Sequence, residues 1–460
     1  MSTQTIENKK ILDVKSNGNH LNKLNILPQD VQSELKKHML VDGFDITIDL
    51  KNSKGAFLYD SKHKRKLLDF FTFVASNPLG MNHPKLNNEE FIKEIGTVAV
   101  NKPSLSDIYT EIQAEFVETF FRIAVPSYFK YSFFIEGGAM AVENSLKAAF
   151  DWKVRKNFEK GYKTEKGHQV IHFKQAFHGR SGYTMSLTNT DPTKILYYPK
   201  FNWPRIDNPK ITFPLNEENL KAVEEAESKA IVQIKDAIMN NKDDIASIIL
   251  EPIQGEGGDN QFRKKFFEEL RKICDENEIM LIFDEVQTGI ALTGKWWAHQ
   301  HYVQPDLISF GKKTQVCGVL STGRIDEIEE NVFRKPSRIN STWGGNMVDM
   351  KRFKKILEII EEENLVKNCE VMGEHLQKEL ISLSEKYPDK VSNTRGLGLF
   401  CAFDCADPDM RNKVTSKALE NDLMILGSGD RSIRFRPPVN ISKDELDLGI
   451  EILDKVLKSS

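Results

Sequence analysis

The fold is decided by the stretch Pro305-Asp306-Leu307-Ile308-Ser309-Phe310-Gly311-Lys312. A second stretch, Leu281-Ile282-Phe283-Asp284, lies upstream and has the same pattern, a short apolar run that ends in a charged residue. Short continuous apolar runs of this kind, bounded by turn-type or polar residues, are typical of buried parallel strands. Because ligands in open α/β sheets bind outside the carboxyl ends of the strands, we expect Asp284 and Lys312 at one rim of one sheet.

An acid and a lysine at one sheet rim are the pair that a pyridoxal 5′-phosphate (PLP) enzyme requires. The lysine forms a Schiff base with the cofactor, and the acid faces the protonated pyridine nitrogen. A lysine in a loop is more often simply solvated, and Lys312 taken alone would favour that interpretation. Its pairing with Asp284, together with the residues described below, favours a PLP site.

Length and composition restrict the class of protein. The chain has 460 residues, more than one hydrophobic core usually spans, so we expect a large domain and a smaller one. Its 40% hydrophobic and 28% charged residues are typical of a soluble globular protein. The net charge of −3 gives no basic surface, and we therefore expect no nucleic-acid partner.

The N-terminal residues and the cysteines lead us to expect a cytoplasmic protein. Residues 1–23 are polar, lack the apolar segment of a signal peptide and are expected to be frayed. We expect no membrane partner, since no apolar run approaches membrane-spanning length. The five cysteines show no CxxC spacing, so the sequence predicts reduced thiols and no metal site.

The pattern of strands and helices predicts an α/β fold with three parts. From about residue 85 to 335, apolar runs alternate with helical patterns, which favours βαβ units and a mostly parallel sheet flanked by helices. We assign residues 1–84 to an N-terminal segment, 85–345 to a large PLP-binding domain and 346–460 to a smaller α+β domain. The candidate strands are 131–135, 170–173, 247–253, 280–286 and 307–310, with 398–403 and 432–436 in the small domain.

Other elements are predicted from periodicity and capping. Residues 57–60 and 66–71 are predicted to form a hairpin. The 3.6-residue period of Val142, Leu146, Ala149, Phe150 and Val154 predicts a helix after residue 135. A second amphipathic helix is expected over 350–365. The last helix should begin at the capping box of residues 442–445 and bury Leu446, Ile450, Leu453 and Leu457.

Two loops at strand ends carry candidate cofactor residues. Gly137-Gly138-Ala139 joins a predicted strand to a helix, where backbone N–H groups can approach a phosphate. In Phe177-His178-Gly179-Arg180 the aromatic ring can stack on a pyridine, and Arg180 can hold a substrate carboxylate. Taken singly, a glycine turn, a core phenylalanine and a surface arginine are the commoner outcomes.

Three further segments contain candidate polar residues. Glu251 ends a predicted strand, and Glu256 lies in the glycine-rich loop after it, where it could pair with an arginine. Thr342 lies in the Gly-rich segment 340–346 and could donate to a phosphate, although a structural turn is equally compatible with this sequence. Arg434 and Arg436 alternate with apolar residues as on an edge strand, which puts both on one face and leaves open which of them contacts Glu256 or a ligand.

At this point the chain resembles a known family, the class III aminotransferases, which are PLP-dependent transferases of fold type I. Asp284-Glu285-Val286-Gln287-Thr288-Gly289, followed by the stretch that ends at Lys312, fits that family's signature at the right spacing. The likeness extends from residues 68–70 and 80–84 to 434–437, which is most of the chain.

The resemblance implies a role for each candidate residue. Lys312 would be the Schiff-base lysine rather than Lys313, because the signature places that lysine directly after a small residue. The implied cofactor-binding residues are Gly138, Ala139, Phe177, Glu251, Asp284, Val286, Gln287 and Lys312, with Thr342 from the partner subunit of a homodimer. The implied substrate-binding residues are Arg180, Gln287, Glu256 and Arg434, and Glu256 would pair with Arg434 as a switch. Many relatives have a hydroxyl residue at the position of Ala139, so one side-chain bond to phosphate is missing here.

Three segments, residues 136–147, 310–318 and 341–346, indicate which members of the family the chain resembles most. They are similar to those of members that transfer the ε-amino group of L-lysine to 2-oxoglutarate. Members that act on 4-aminobutyrate are the next most similar. A non-enzymatic PLP-binding sensor and an α/β scaffold with a structural lysine are the alternatives from other classes of protein.

Overall fold

The computed structural model of the chain describes residues 26–101 and 107–460. The N-terminal residues 1–23, for which the sequence predicts fraying, lie outside this range. The strands are β1 (Phe57–Asp60), β2 (Arg65–Asp69), β3 (Phe129–Ile135), β4 (Gln169–Phe173), β5 (Arg205–Ile206), β6 (Ile245–Leu250), β7 (Met280–Asp284), β8 (Leu307–Phe310), β9 (Cys317–Thr322), β10 (Val391–Leu397), β11 (Phe400–Cys405), β12 (Leu423–Met424), β13 (Leu426–Ser428) and β14 (Ser432–Phe435).

Helices cover much of the remaining chain. Those of six residues or more are α1 (Val31–Lys36), α2 (Glu89–Asn101), α3 (Glu111–Ile123), α4 (Gly138–Glu159), α5 (Gly182–Leu187), α6 (Glu217–Asn240), α7 (Lys264–Glu276), α8 (Met347–Glu362), α9 (Leu365–Lys386), α10 (Pro408–Glu420) and α11 (Lys443–Ser459). Among the residues that the structure describes, none of these helices combines the length and the apolar character needed to cross a membrane.

A sheet of seven strands forms the centre of the molecule, in the order β3-β9-β8-β7-β6-β4-β5. The neighbours from β8 to β5 pair in parallel, and β9 pairs antiparallel with both β8 and β3. The mostly parallel sheet predicted from the sequence is therefore confirmed. The antiparallel strand β9 was not predicted.

The register of β7 and β8 brings the two signature residues to one rim. Asp284 is the last residue of β7 and is paired with Ser309 of β8, and the chain leaves β8 at Phe310. Lys312 then begins a short 3₁₀ turn, Lys312–Thr314. The position of Asp284 and Lys312 at the carboxyl ends of adjacent parallel strands follows the expectation from the sequence.

Helix α4 follows β3 and packs on the central sheet, as its periodicity predicts. Val142, Leu146 and Ala149 are fully buried in a cluster with residues of the sheet, while Phe150 and Val154 are half-buried. This packing fixes the helix axis and places its N-terminus at the rim that holds Asp284 and Lys312.

A second sheet of four antiparallel strands, in the order β10-β11-β14-β13, lies in the C-terminal part of the chain. Strand β14 pairs on both sides, so the prediction of an edge strand at Arg434 and Arg436 was wrong. The alternation there reflects ion pairs of Arg434 with Glu256 and of Arg436 with Asp259 rather than a solvated face. The strand predicted at 398–403 is shifted to Phe400–Cys405, because Gly398 lies in the turn between β10 and β11, with φ of +57°.

The predicted hairpin of the N-terminal segment is present as β1 and β2. Strand β2 also pairs in parallel with β12, so this segment shares a three-stranded sheet with the C-terminal part of the chain. The last helix, α11, begins at the predicted capping box, in which the Ser442 and Glu445 side chains cap each other's backbone. Leu446, Leu453 and Leu457 are buried on its inner face, and Ile450 is half-buried.

Candidate active site

One cavity of about 320 Å³ opens at the rim of the central sheet where β7 and β8 end, and we call it the central cavity. It is lined by Gly138, Ala139, Phe177, His178, Gly179, Arg180, Glu251, Glu256, Asp284, Val286, Gln287 and Lys312. Ten of these residues were candidates from the sequence; His178 and Gly179 were not. Thr342 and Arg434, the other two candidates, do not line the cavity of their own chain.

Lys312 has the environment of a reactive amine. Burial, with a smaller contribution from the Arg434 guanidinium, lowers the pKa of Lys312 to about 8. Its φ of +53° is left-handed, a conformation that costs energy for a side chain with a Cβ and that recurs at functional sites. The adjacent Lys313 is fully buried, and its Nζ donates to the backbone oxygen of Gln287 at 2.5 Å. Lys312, and not Lys313, therefore faces the cavity.

The Asp284 carboxylate is oriented by two contacts. Its Oδ1 accepts from the backbone N–H of Val286 at 3.0 Å, and its Oδ2 lies 2.8 Å from Nδ1 of the buried His178. His178 was quoted within the Phe177–Arg180 motif but had no predicted role. Its contact with a residue so distant in the chain could not be read from the sequence. The histidine holds the acid in one orientation at the cavity wall.

The N-terminus of α4 provides backbone donors to the cavity. Gly137 precedes the helix with φ of +93°, a conformation that only glycine adopts readily. At Gly138, a Cβ atom would lie 2.9 Å from Cγ1 of Val286, so this position also requires glycine for close packing. The first N–H groups of a helix lack internal partners, and this one opens toward the cavity at Gly138 and Ala139.

Glu251 ties two cavity loops to the end of β6. Its Oε1 accepts from the N–H of Phe177 and its Oε2 from the N–H of Gly255, each at 3.0 Å. Burial raises the pKa of Glu251 to about 7. Since both carboxylate oxygens are occupied by backbone donors, its contacts position the Phe177 and Gly255 loops.

A buried network orients the Gln287 amide. Oε1 of Gln287 accepts from Nη2 of Arg436 at 3.1 Å, which leaves the amide nitrogen as a donor for other groups. Arg436 is itself held by both carboxylate oxygens of Asp259, each at 2.8 Å, and its guanidinium lies 3.3 Å from the ring centroid of Phe400. Arg436 therefore acts on the cavity through Gln287.

Glu256 lies between two cations. Its Oε2 accepts from Nη2 of Arg434 at 3.0 Å, so Arg434, rather than Arg436, makes the ion pair that the sequence left open. Its Oε1 accepts from Nζ of Lys194 at 2.6 Å, a contact that the sequence analysis missed. Although burial opposes it, the charges of Arg434 and Lys194 lower the pKa of Glu256, which is therefore ionised at neutral pH.

Arg180 and Thr342 are the exposed candidates. Arg180 lines the cavity and is open to solvent, so its guanidinium can meet a ligand that enters from outside. Thr342 lies on the surface in the turn before α8. Its exposure is compatible with the contact to a partner subunit that the resemblance implies.

These residues fit PLP by their chemistry. The cavity combines an amine of lowered pKa, an oriented acid, an aromatic ring and the open N-terminus of a long helix. The Nε2 atom of His178 is buried without a hydrogen-bond partner among the described residues. One polar atom next to Asp284 is therefore free to bond a ligand. An aldehyde, a pyridine nitrogen and a phosphate would each meet a complementary group.

The comparisons with known proteins agree with this fit. The family model of class III aminotransferases matches residues 41–457, and the chain belongs to that family. It is a PLP-dependent aminotransferase of the α/β class with the type I fold.

Two curated relatives carry the same name. L-lysine-epsilon aminotransferase from Mycobacterium tuberculosis is 48% identical over 94% of this chain and 96% of its own length. The protein of that name from Streptomyces clavuligerus is 45% identical over 93% of this chain and 94% of its own. A solved structure of lysine aminotransferase from M. tuberculosis, described as the internal aldimine form, is similar with a TM-score of 0.92 and 47% identity. It covers 94% of this chain and 99% of that chain.

Proposed function

We propose that this aminotransferase moves the ε-amino group of L-lysine to 2-oxoglutarate, giving 2-aminoadipate 6-semialdehyde and L-glutamate in two half-reactions of a ping-pong mechanism. One observation carries the proposal. Arg180 lines the central cavity and is open to solvent, whereas a second arginine, Arg434, does not line the cavity and is neutralised by the cavity residue Glu256. The names and identities of the relatives described above support the same substrate.

We assign the cofactor to the residues that line the central cavity. Lys312 would attach it covalently, Asp284 would meet its ring nitrogen, and Gln287 would donate to its 3′-oxygen. Val286 and Phe177 would enclose the ring. The backbone of Gly138 and Ala139 would bind the phosphate, helped by Thr342 of the partner subunit in a homodimer. Glu251 would support this arrangement through the Phe177 loop, and a cytoplasmic location remains part of the proposal.

The chemistry divides between cofactor and protein. PLP, when bound, supplies an electrophilic carbon for the amino group and an electron-withdrawing ring for the carbon that loses a proton. Asp284 would stabilise the protonated ring nitrogen of the cofactor, since a carboxylate in hydrogen-bond range favours the charged form of a cation. With a pKa of about 8, the Nζ atom of Lys312 is partly neutral near neutral pH and can accept and return the substrate proton.

The first half-reaction depends on distance. For the ε-amine to reach the reacting position, the α-carboxylate of lysine must be held far from Lys312. Arg180 is suited to hold it, because its planar guanidinium can form two parallel hydrogen bonds with a carboxylate.

In the second half-reaction, the substrate has one carboxylate far from Lys312 and another close to it, and both must be bound. Glutamate and 2-oxoglutarate have a second carboxylate next to the reacting carbon, and Arg434 would bind it once Glu256 releases the guanidinium. Nη1 of Arg434 has no partner among the described residues, so one donor is already available. While lysine is bound, Glu256 would stay paired with Arg434, so the arginine would not be available to a second carboxylate.

The main alternative is an aminotransferase for 4-aminobutyrate or another ω-amino acid, which would use the same cofactor site. A non-enzymatic PLP sensor and a scaffold with a structural lysine are set aside because the chain belongs to an aminotransferase family. A donor screen separates the remaining choices. With 2-oxoglutarate as acceptor, glutamate formation should be faster with L-lysine than with ornithine or 4-aminobutyrate. Faster turnover of either competitor would reject lysine as the substrate.

A further inference from the structure

We infer that Lys194 is a specificity-determining residue of the dicarboxylate half-reaction: it holds the Glu256 carboxylate when Arg434 turns to the substrate. This inference rests on the proposed function. Lys194 ends a short 3₁₀ turn, Pro192–Lys194, that is anchored at its start by the Asp191 side chain. Its Nζ reaches Glu256 Oε1 from the side of a second cavity of about 310 Å³ that both residues line.

The two cations on Glu256 are not equivalent. The side chain of Arg434 is 4% exposed and projects from β14, which is paired on both sides, whereas the side chain of Lys194 is 25% exposed. Each cation occupies a different carboxylate oxygen. Arg434 can therefore leave Oε2 while Lys194 remains on Oε1.

This geometry addresses an energetic problem of the switch. Opening an ion pair that is largely buried is costly when it leaves a carboxylate without a partner. Here the carboxylate keeps Lys194 after Arg434 has left, so the open state is less unfavourable. Lys194 also lies 5.5 Å from the ring centroid of Phe177, an attractive contact that holds the ammonium beside the central cavity.

The expected consequence is a selective loss in the dicarboxylate half-reaction. Without Lys194, Glu256 would hold Arg434 more tightly, and Arg434 would be less available to a dicarboxylate. For a partly exposed pair, the effect should be about fivefold on kcat/KM for 2-oxoglutarate. The lysine half-reaction uses the closed Glu256–Arg434 pair. The decrease in kcat/KM for lysine should therefore be at least about threefold smaller than the decrease for 2-oxoglutarate.

The test uses holoenzyme variants and two readouts. Lys194→Met removes the charge and Lys194→Arg keeps it. Lys200→Met is the matched control, because Lys200 lies in the same segment and its Nζ donates to the backbone oxygens of Ile195 and Tyr198 rather than to Glu256. Single-turnover rates are measured for each half-reaction. The dissociation constant of glutarate, a dicarboxylate that cannot react, is measured by calorimetry.

The inference predicts that Lys194→Met weakens glutarate binding by about the same fivefold factor, that Lys194→Arg restores it and that Lys200→Met has no effect. In a Glu256→Gln background, replacing Lys194 should change nothing further. Unchanged glutarate binding, an equal loss in both half-reactions or a comparable effect of Lys200→Met would overturn it. If wild-type enzyme transfers no amino group from lysine, the proposed substrate fails, while the glutarate measurement still tests Lys194.

Discussion

Arg180 is the residue on which the choice of the ε-amine depends. A hydrogen bond to a charged group contributes about 1.5–3 kcal/mol, so Arg180→Ala should lower kcat/KM for lysine by at least about tenfold. Arg180→Lys should recover only part of this, because an ammonium lacks the paired donors of a guanidinium. Steady-state kinetics with lysine as the varied substrate measure both effects.

The control for Arg180 is an exposed arginine elsewhere. Arg122 pairs with Glu361 on the surface, and Arg122→Ala should leave lysine turnover unchanged. Cofactor absorbance should also survive Arg180→Ala, since Arg180 is not proposed to touch PLP. Loss of the cofactor spectrum, or undiminished lysine turnover, would make Arg180 a structural residue.

Lys312 provides a test of the site's electrostatics in the apoenzyme. Its ordinary pKa would be about 10.4; burial and the nearby Arg434 charge lower it to about 8. The ammonium should therefore predominate below pH 8 and the reactive amine above it. Competitive acetylation followed by mass spectrometry should give a midpoint about two pH units below that of solvated lysines. A midpoint near that of solvated lysines would contradict the described environment.

Residues with a local or family signature could be predicted from the sequence, whereas the roles of His178 and Lys194, which depend on distant contacts alone, could not. Lys312 and Asp284 follow recognisable strands, and ten predicted residues line the cavity. The contact of His178 with Asp284 spans 106 positions, and that of Lys194 with Glu256 spans 62. Nothing in the neighbouring sequence of Lys194 indicates that its ammonium turns toward Glu256.

Among the elements, the parallel strands of the central sheet were predictable because their apolar runs are continuous. Strand β9 was missed because its residues, Cys317–Thr322, include small and polar types that give no apolar run, although all six are buried. Strand β14 was placed at an edge because its arginines were expected to need solvent. The half-buried Glu256 and the buried Asp259 pair with them instead, and only the tertiary structure brings these groups together.

The network that follows β14 should also stabilise the fold. Arg436 is 2% exposed and forms an ion pair with the equally buried Asp259. Removing one partner of a buried pair costs about 3–5 kcal/mol, so Arg436→Met should lower the free energy of unfolding by that amount. Denaturant titration of the purified variant measures this quantity.

Arg431 is the matched control for Arg436. Its side chain is 49% exposed and lies 3.7 Å from Asp404, so Arg431→Met should cost less than about 1 kcal/mol. The double variant Arg436→Met/Asp259→Leu should be less destabilised than Arg436→Met alone, because no bare charge remains. Equal effects of Arg436→Met and Arg431→Met would show that the buried pair contributes no more to the free energy of unfolding than an exposed one.

For the whole molecule, the proposed homodimer with shared sites predicts complementation. Lys312→Ala and Thr342→Ala subunits should each be impaired as homodimers. A hybrid of the two carries both lesions at one site and none at the other. Random exchange should therefore bring activity toward about a quarter of the wild-type value. If exchange is confirmed by mass spectrometry and activity stays low, Thr342 does not act across the interface.

The central claim is that the ε-nitrogen of lysine becomes the amino nitrogen of glutamate, and isotope transfer tests it most directly. The enzyme is incubated with 2-oxoglutarate and L-lysine that carries ¹⁵N at either the ε- or the α-position, and the glutamate is analysed by mass spectrometry. We predict labelled glutamate from ε-¹⁵N-lysine and unlabelled glutamate from α-¹⁵N-lysine. Label from the α-position, or no glutamate from lysine at all, would contradict the account.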